Sequence, residues 1–79
     1  MSYHEQMARI VAENPGQPGI FIVYKFLDEL GYTKNRKRIR FGFAVVKAAK
    51  EADLIRAEGR LLYPGGQGES GLVDDRGDG

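Results

Sequence analysis

The chain is 79 residues long, with 12 Lys and Arg against 11 Asp and Glu, one histidine, no cysteine and a formal charge of +1. That length leaves room for one domain and one core, burying about 60% of the unfolded surface, and the missing cysteines exclude a disulfide framework and thiolate metal or redox chemistry. The near-neutral total hides a split: residues 1 to 33 carry two basic and four acidic side chains, residues 34 to 60 carry nine basic against Glu51, Asp53 and Glu58, and the rest carries one against four.

The first element begins at Ser2, followed three residues later by Glu5 in capping-box spacing, and Tyr3, Met7, Ile10, Val11 and Asn14 recur on one helical face. An amphipathic helix ending near Asn14 is expected. Pro15-Gly16-Gln17-Pro18-Gly19 breaks it, and Pro18 suits the first turn of the next helix. From Ile20 to Leu30 the residues Ile20, Val23, Tyr24, Leu27 and Leu30 keep a helical period, stopped by Gly31. Phe21, Ile22 and Phe26 widen that stripe beyond what one small neighbouring helix covers, and the surplus suits a dimer contact.

The next segment is ambiguous, since Arg38 to Val45 alternates like a strand. Length and the following alanines decide for one long helix from Asn35 or Arg38 to Asp53. Its apolar arc holds Ile39, Phe41, Gly42, Phe43, Val45, Val46, Ala49 and Ala52, and its polar arc holds Arg36, Arg40, Lys47 and Glu51. Arg36, Arg40 and Lys47, spaced by four and seven, stand in one line. Leu54-Ile55-Arg56 and Leu61-Leu62-Tyr63 flank Ala57-Glu58-Gly59-Arg60 as a β-hairpin would. Pro64 ends it, and residues 65–79, rich in Gly and Asp, are expected to be a disordered acidic tail beyond a single domain of residues 1–64.

The order helix, helix, charged turn, long helix, hairpin resembles the winged helix-turn-helix family over residues 3 to 63. Leu27-Asp28-Glu29-Leu30-Gly31-Tyr32-Thr33 is similar to the end of that family's second helix and its turn, and Ala49 to Tyr63 is similar to the passage from recognition helix to wing. The 22 residues from Tyr32 to Asp53 exceed the compact pattern, which means either an extended basic loop or a longer helix. Asp53 stands where glycine commonly closes the helix, a place that aspartate tolerates better than most residues.

The resemblance implies a mainly α fold of three helices plus a wing, and a double-stranded DNA partner for a regulator or accessory factor, with the third helix in the major groove. Thr33, Lys34, Asn35, Arg36 and Lys37 would approach the duplex at the helix entrance. Arg36 and Arg40 would read base edges, Asn35 would suit adenine, and Lys34, Lys37, Lys47, Arg56 and Arg60 would hold phosphates. A homodimer on paired half-sites would supply the contact area that one module lacks.

Other readings of these residues are weaker. Ile20-Phe21-Ile22 and Phe41-Gly42-Phe43 resemble the aromatic strands of an RNA recognition motif, but too few residues separate them for that fold. Asp28-Glu29 and Asp74-Asp75 form no acid and base pair across a cleft, and Gly65-Gly66-Gln67-Gly68 lacks the following Lys-Ser or Lys-Thr of a phosphate loop. Lone His4 belongs in solvent, and Arg76-Gly77-Asp78 matches an adhesion tripeptide by chance. No catalysis, cofactor, metal or small-molecule substrate is therefore expected. The longest apolar run, Ile20 to Tyr24, is far short of a bilayer span and the start is too polar for a signal peptide, so a cytoplasmic protein without a membrane partner is expected, nucleoid-associated in a prokaryotic or viral host. The rival function is docking of an acidic protein partner by the same basic face.

Overall fold

Ser2 opens the first helix, α1 (Tyr3–Glu13), through a complete capping box. Its hydroxyl accepts from the Glu5 N–H at 3.2 Å, and its own N–H donates to the Glu5 carboxylate at 3.3 Å. Met7, Ile10 and Val11 form the buried face and Asn14 caps the end, as the period predicts, whereas Tyr3, expected on the same face, is exposed and meets Phe26 and Phe41 edge-on. The computed structural model describes residues 2–65.

The Pro-Gly segment holds an element that sequence reasoning missed. Gln17–Pro18 forms a short strand, β1, so Pro18 lies before the second helix as its N-cap and not inside its first turn. The second helix, α2 (Gly19–Leu30), buries Ile22, Val23, Phe26 and Leu27. The expected stripe is therefore rotated, because Ile20 and Tyr24 stay exposed while Ile22 and Phe26 point inward. A helix with apolar residues almost all round has no single stripe to read, and tertiary packing chooses among them. At its end Gly31 takes φ 75°, and the N–H groups of Gly31 and Tyr32 bond the carbonyls of Asp28 and Leu27 at 3.1 and 2.9 Å, the pattern that satisfies orphan carbonyls at a helix end.

The long turn-to-hairpin interval resolves as a longer helix. The third helix, α3 (Arg36–Glu51), runs 16 residues, with only Tyr32 to Asn35 before it. Gly42, Val45, Val46 and Ala49 face inward, whereas Phe43 and Ala52, expected in the apolar arc, are exposed. Phe43 sits at the edge of that arc, where its ring lies against Gly19, which has no side chain to cover it. Gly42 makes the crossing of α2 and α3 possible: a Cβ there would lie 2.5 Å from a methyl of Val23.

Asp53 closes α3 in the left-handed conformation at φ 60°, with the Asp53 and Leu54 N–H groups bonded to Lys50 and Ala49 at 3.0 Å. The left-handed region costs an L residue about 1–2 kcal/mol, and glycine loses about 0.5–1 kcal/mol more entropy on folding. Asp53→Gly is therefore expected to stabilise the fold by about 0.5–1 kcal/mol, a gain that a urea titration would register as a higher midpoint with unchanged slope.

Two further strands, β2 (Ile55–Glu58) and β3 (Leu61–Pro64), form the hairpin, turning through Gly59 at φ 64° and Arg60. β1 adds to the other side of β3, giving an antiparallel sheet of order β1-β3-β2 in which Gln17 pairs with Leu62 and Ala57 pairs with Leu62 from the opposite edge. Ile55 and Leu62 join the helices' buried residues in one core. The molecule is thus a mostly helical domain of three helices with a small antiparallel hairpin. Gly65, assigned to the tail, is tied to the domain by its N–H on the Leu54 carbonyl at 2.9 Å; the rest of the expected tail lies outside the described residues.

Candidate functional site

The nine basic residues of the middle segment fall into two groups. Lys34 pairs with Asp28 and lies over the Tyr24 ring, Arg38 stacks 4.0 Å from the centre of Tyr32, and Arg56 pairs with Glu58 while covering Tyr63. Among the described residues the other six, Arg36, Lys37, Arg40, Lys47, Lys50 and Arg60, have no acidic partner. All six are exposed.

Five of them belong to α3. Arg36, Arg40 and Lys47 lie within about 40° of one another on a helix of 100° per residue, over about 16 Å of its length. Lys37 flanks this line at the helix start. Lys50, not among the expected site residues, extends it at the other end one turn beyond Lys47. The signal for it was there in the i, i+3 spacing from Lys47, but the position lies near the apolar edge of the wheel.

The start of α3 runs against local helix electrostatics. It holds Arg36, Lys37 and Arg38 with no acidic residue in the first turn, although the positive end of the helix dipole disfavours each exposed cation by about 0.3–1 kcal/mol. Carboxylates are not scarce: on α1 Arg9 is bonded to both Glu13, at 3.1 Å, and Glu29 of α2. Hydrogen bonds from Gln6 and then from Arg9 hold the Glu29 carboxyl below its ordinary pKa. A lowered carboxyl adds stability above its unfolded pKa and loses it as pH falls through the folded value, so this α1–α2 link weakens in acid. Among the described residues, cations without an acidic partner are thus concentrated on α3, while Arg9 of α1 is neutralised.

Asn35, expected to suit adenine, is the N-cap of α3. Its Oδ1 accepts from the Arg38 N–H at 2.9 Å and its Nδ2 donates to the Thr33 hydroxyl at 3.0 Å, so both ends of the amide are engaged in capping α3. Thr33 is in turn occupied by Asn35, and Lys34 by Asp28. The exposed pairs of Lys34 and Arg56 are weak enough to exchange for a phosphate.

Arg60 lies at the hairpin turn and, with Lys50, lines a groove of about 380 Å³ between the start of α2, α3 and the hairpin. Val46 and Leu62, nearly buried, form its floor, and Ile20 and Phe43, each 42% exposed, form its walls. Together with Phe21 and Tyr24, at 38% and 39%, they leave an apolar surface beside the cations. No helix among the described residues is long and apolar enough to cross a membrane, and no three His, Cys, Asp or Glu side chains there gather as metal ligands would. Comparison with protein-family models, curated proteins and solved structures finds no match.

Proposed function

We propose that the chain is a winged helix protein that binds double-stranded DNA without catalysis, as a transcriptional regulator or an accessory DNA-binding factor. The observation that carries this reading is the cationic start of α3, held open without acidic partners and against the helix dipole. The order helix, strand, helix, helix, strand, strand, with β1 beside β3, supports the winged helix assignment beyond the bare hairpin.

In this reading α3 enters the major groove, which is wide enough for one helix. Arg36 and Arg40 present guanidinium groups to guanine's two acceptors, and Lys37, Lys47, Lys50 and Arg60 hold phosphates on either side. Single modules of this size bury about 600–1,000 Å² on DNA, so high affinity calls for a second copy on a neighbouring half-site. Phe21 and Tyr24 on the outer face of α2 are the contact for that homodimer.

Arg36→Ala and Arg40→Ala test the recognition face separately. Each is expected to cost about 1–3 kcal/mol of binding to a selected site with the helical circular dichroism unchanged. Folded variants with undiminished affinity would remove α3 from the interface.

The exposed apolar side chains Ile20, Phe21, Tyr24 and Phe43 favour a second reading, in which the basic face docks an acidic protein partner. Phe43→Ser separates the two: it leaves non-specific duplex affinity near wild type if α3 meets phosphates, and abolishes partner binding if the ring is an anchor.

A further inference from the structure

The groove between α2, α3 and the hairpin combines an apolar floor with two cations, Lys50 and Arg60, that have no acidic partner among the described residues. An occupant that satisfies it needs apolar side chains followed closely by negative charge. Two segments of the chain fit that pattern, Phe26-Leu27-Asp28-Glu29, whose apolar pair is already buried in the core, and Leu72-Val73-Asp74-Asp75.

We propose that this groove is the seat of residues 72–75 of the same chain, with Leu72 and Val73 on Val46 and Leu62 and the carboxylates of Asp74 and Asp75 against Lys50 and Arg60. The charges are complementary: the stretch from Leu61 carries one basic and four acidic side chains, and the groove is lined by the cations Lys50 and Arg60. The reach is also sufficient. Gly65 is fixed by its bond to the Leu54 carbonyl, and Leu62, on the groove floor, lies three residues earlier, within about 10 Å. Seven residues from Gly65 to Leu72 span at most about 25 Å, and a Gly-rich connection of that length has a root-mean-square extent of about 13–16 Å. A tether matched to its span supplies an effective concentration in the mM range. Weak intrinsic affinity therefore fills the groove, and a second copy or free peptide competes only at comparable concentration.

The seat does not depend on DNA binding, although Lys50 and Arg60 both belong to the proposed DNA face as well. Ser70→Cys introduces a single thiol into this cysteine-free chain, and a nitroxide on it reports proximity in the full-length ¹⁵N-labelled protein. The expected result is several-fold stronger broadening of the Ala57, Gly59 and Arg60 amides than of His4 and Gln6 on α1. It is lost when Leu72→Ser and Val73→Ser are added, while the His4 and Gln6 shifts stay unchanged and report an intact fold. Broadening indifferent to those two substitutions, or absent altogether, would overturn the seat. Broadening transferred from a nitroxide-carrying unlabelled copy to a nitroxide-free ¹⁵N copy would overturn it too, giving the groove to a second molecule.

Discussion

The double variant Arg36→Glu, Lys37→Glu is expected to be more stable than the wild type and to have lost duplex affinity. Both positions lie in the first turn of α3, which holds no acidic side chain. Reversing two exposed charges at the positive end of the dipole should stabilise the helix by about 1–2 kcal/mol at low salt. For a domain of this size each kcal/mol corresponds to about 4–8 °C in Tm. Loss of the Arg36 base contact alone should weaken specific binding by about 1–3 kcal/mol, and two new anions beside the phosphates add to that. Calorimetric unfolding and a DNA titration on the same preparation check both halves. A fall in Tm would contradict the argument that these cations are kept at a stability cost, and retained affinity would contradict the assignment of the face.

Gly42→Ala should destabilise the fold although alanine is the better helix former by about 1 kcal/mol. The new Cβ would lie 2.5 Å from Cγ1 and 3.3 Å from Cγ2 of Val23, a residue with no exposed surface. A β-branched side chain is stiff at χ1 and cannot swing aside. Overpacking of this kind costs about 1–3 kcal/mol after neighbours have relaxed. Adding Val23→Ala removes the methyls in the way, so the double variant should lose less than the sum of the single ones, with a coupling of about 0.5–3 kcal/mol. Chemical denaturation of the four proteins measures it. Additive losses would mean that α2 and α3 separate freely and that Gly42 does not set their crossing.

Signals confined to a few neighbouring residues were legible without coordinates. Ser2 with Glu5 and Gly31 each name a local geometry, and the helices they bound occur where expected; Gly59 marks the hairpin, but its turn is two residues and not the expected four, because Ala57 and Glu58 pair with Leu62 and Leu61 as part of β2. Asp53 at the end of α3 belongs with them, since its tolerance of a positive φ is a property of the residue itself. β1 was not legible, because two residues ending in proline carry no alternation, and only their pairing with Leu61 and Leu62 makes them a strand. The inward face of α2 was misread for a related reason: Ile20, Ile22, Tyr24 and Phe26 are all apolar, and contact with α1 and α3 selects among them.

The line of Arg36, Arg40 and Lys47 follows from helical spacing and is present in the structure. Its relation to Arg60 and the groove is set by the sheet, through residues far apart in the chain. The amide of Asn35 illustrates the limit of residue type as a guide: a side chain suited to adenine is equally suited to a helix cap, and the backbone N–H of Arg38 decides.

The most direct test of the central claim is fluorescence anisotropy of a labelled random-sequence duplex titrated with the full chain over a series of salt concentrations. On a random sequence Arg36 and Arg40 have no selected base to read and join Lys37, Lys47, Lys50 and Arg60 on phosphates, and six such contacts predict a slope of log affinity against log salt of about −5. Absence of binding at low salt, or binding indifferent to salt, would contradict the claim that the open cationic face of α3 and the hairpin serves nucleic acid.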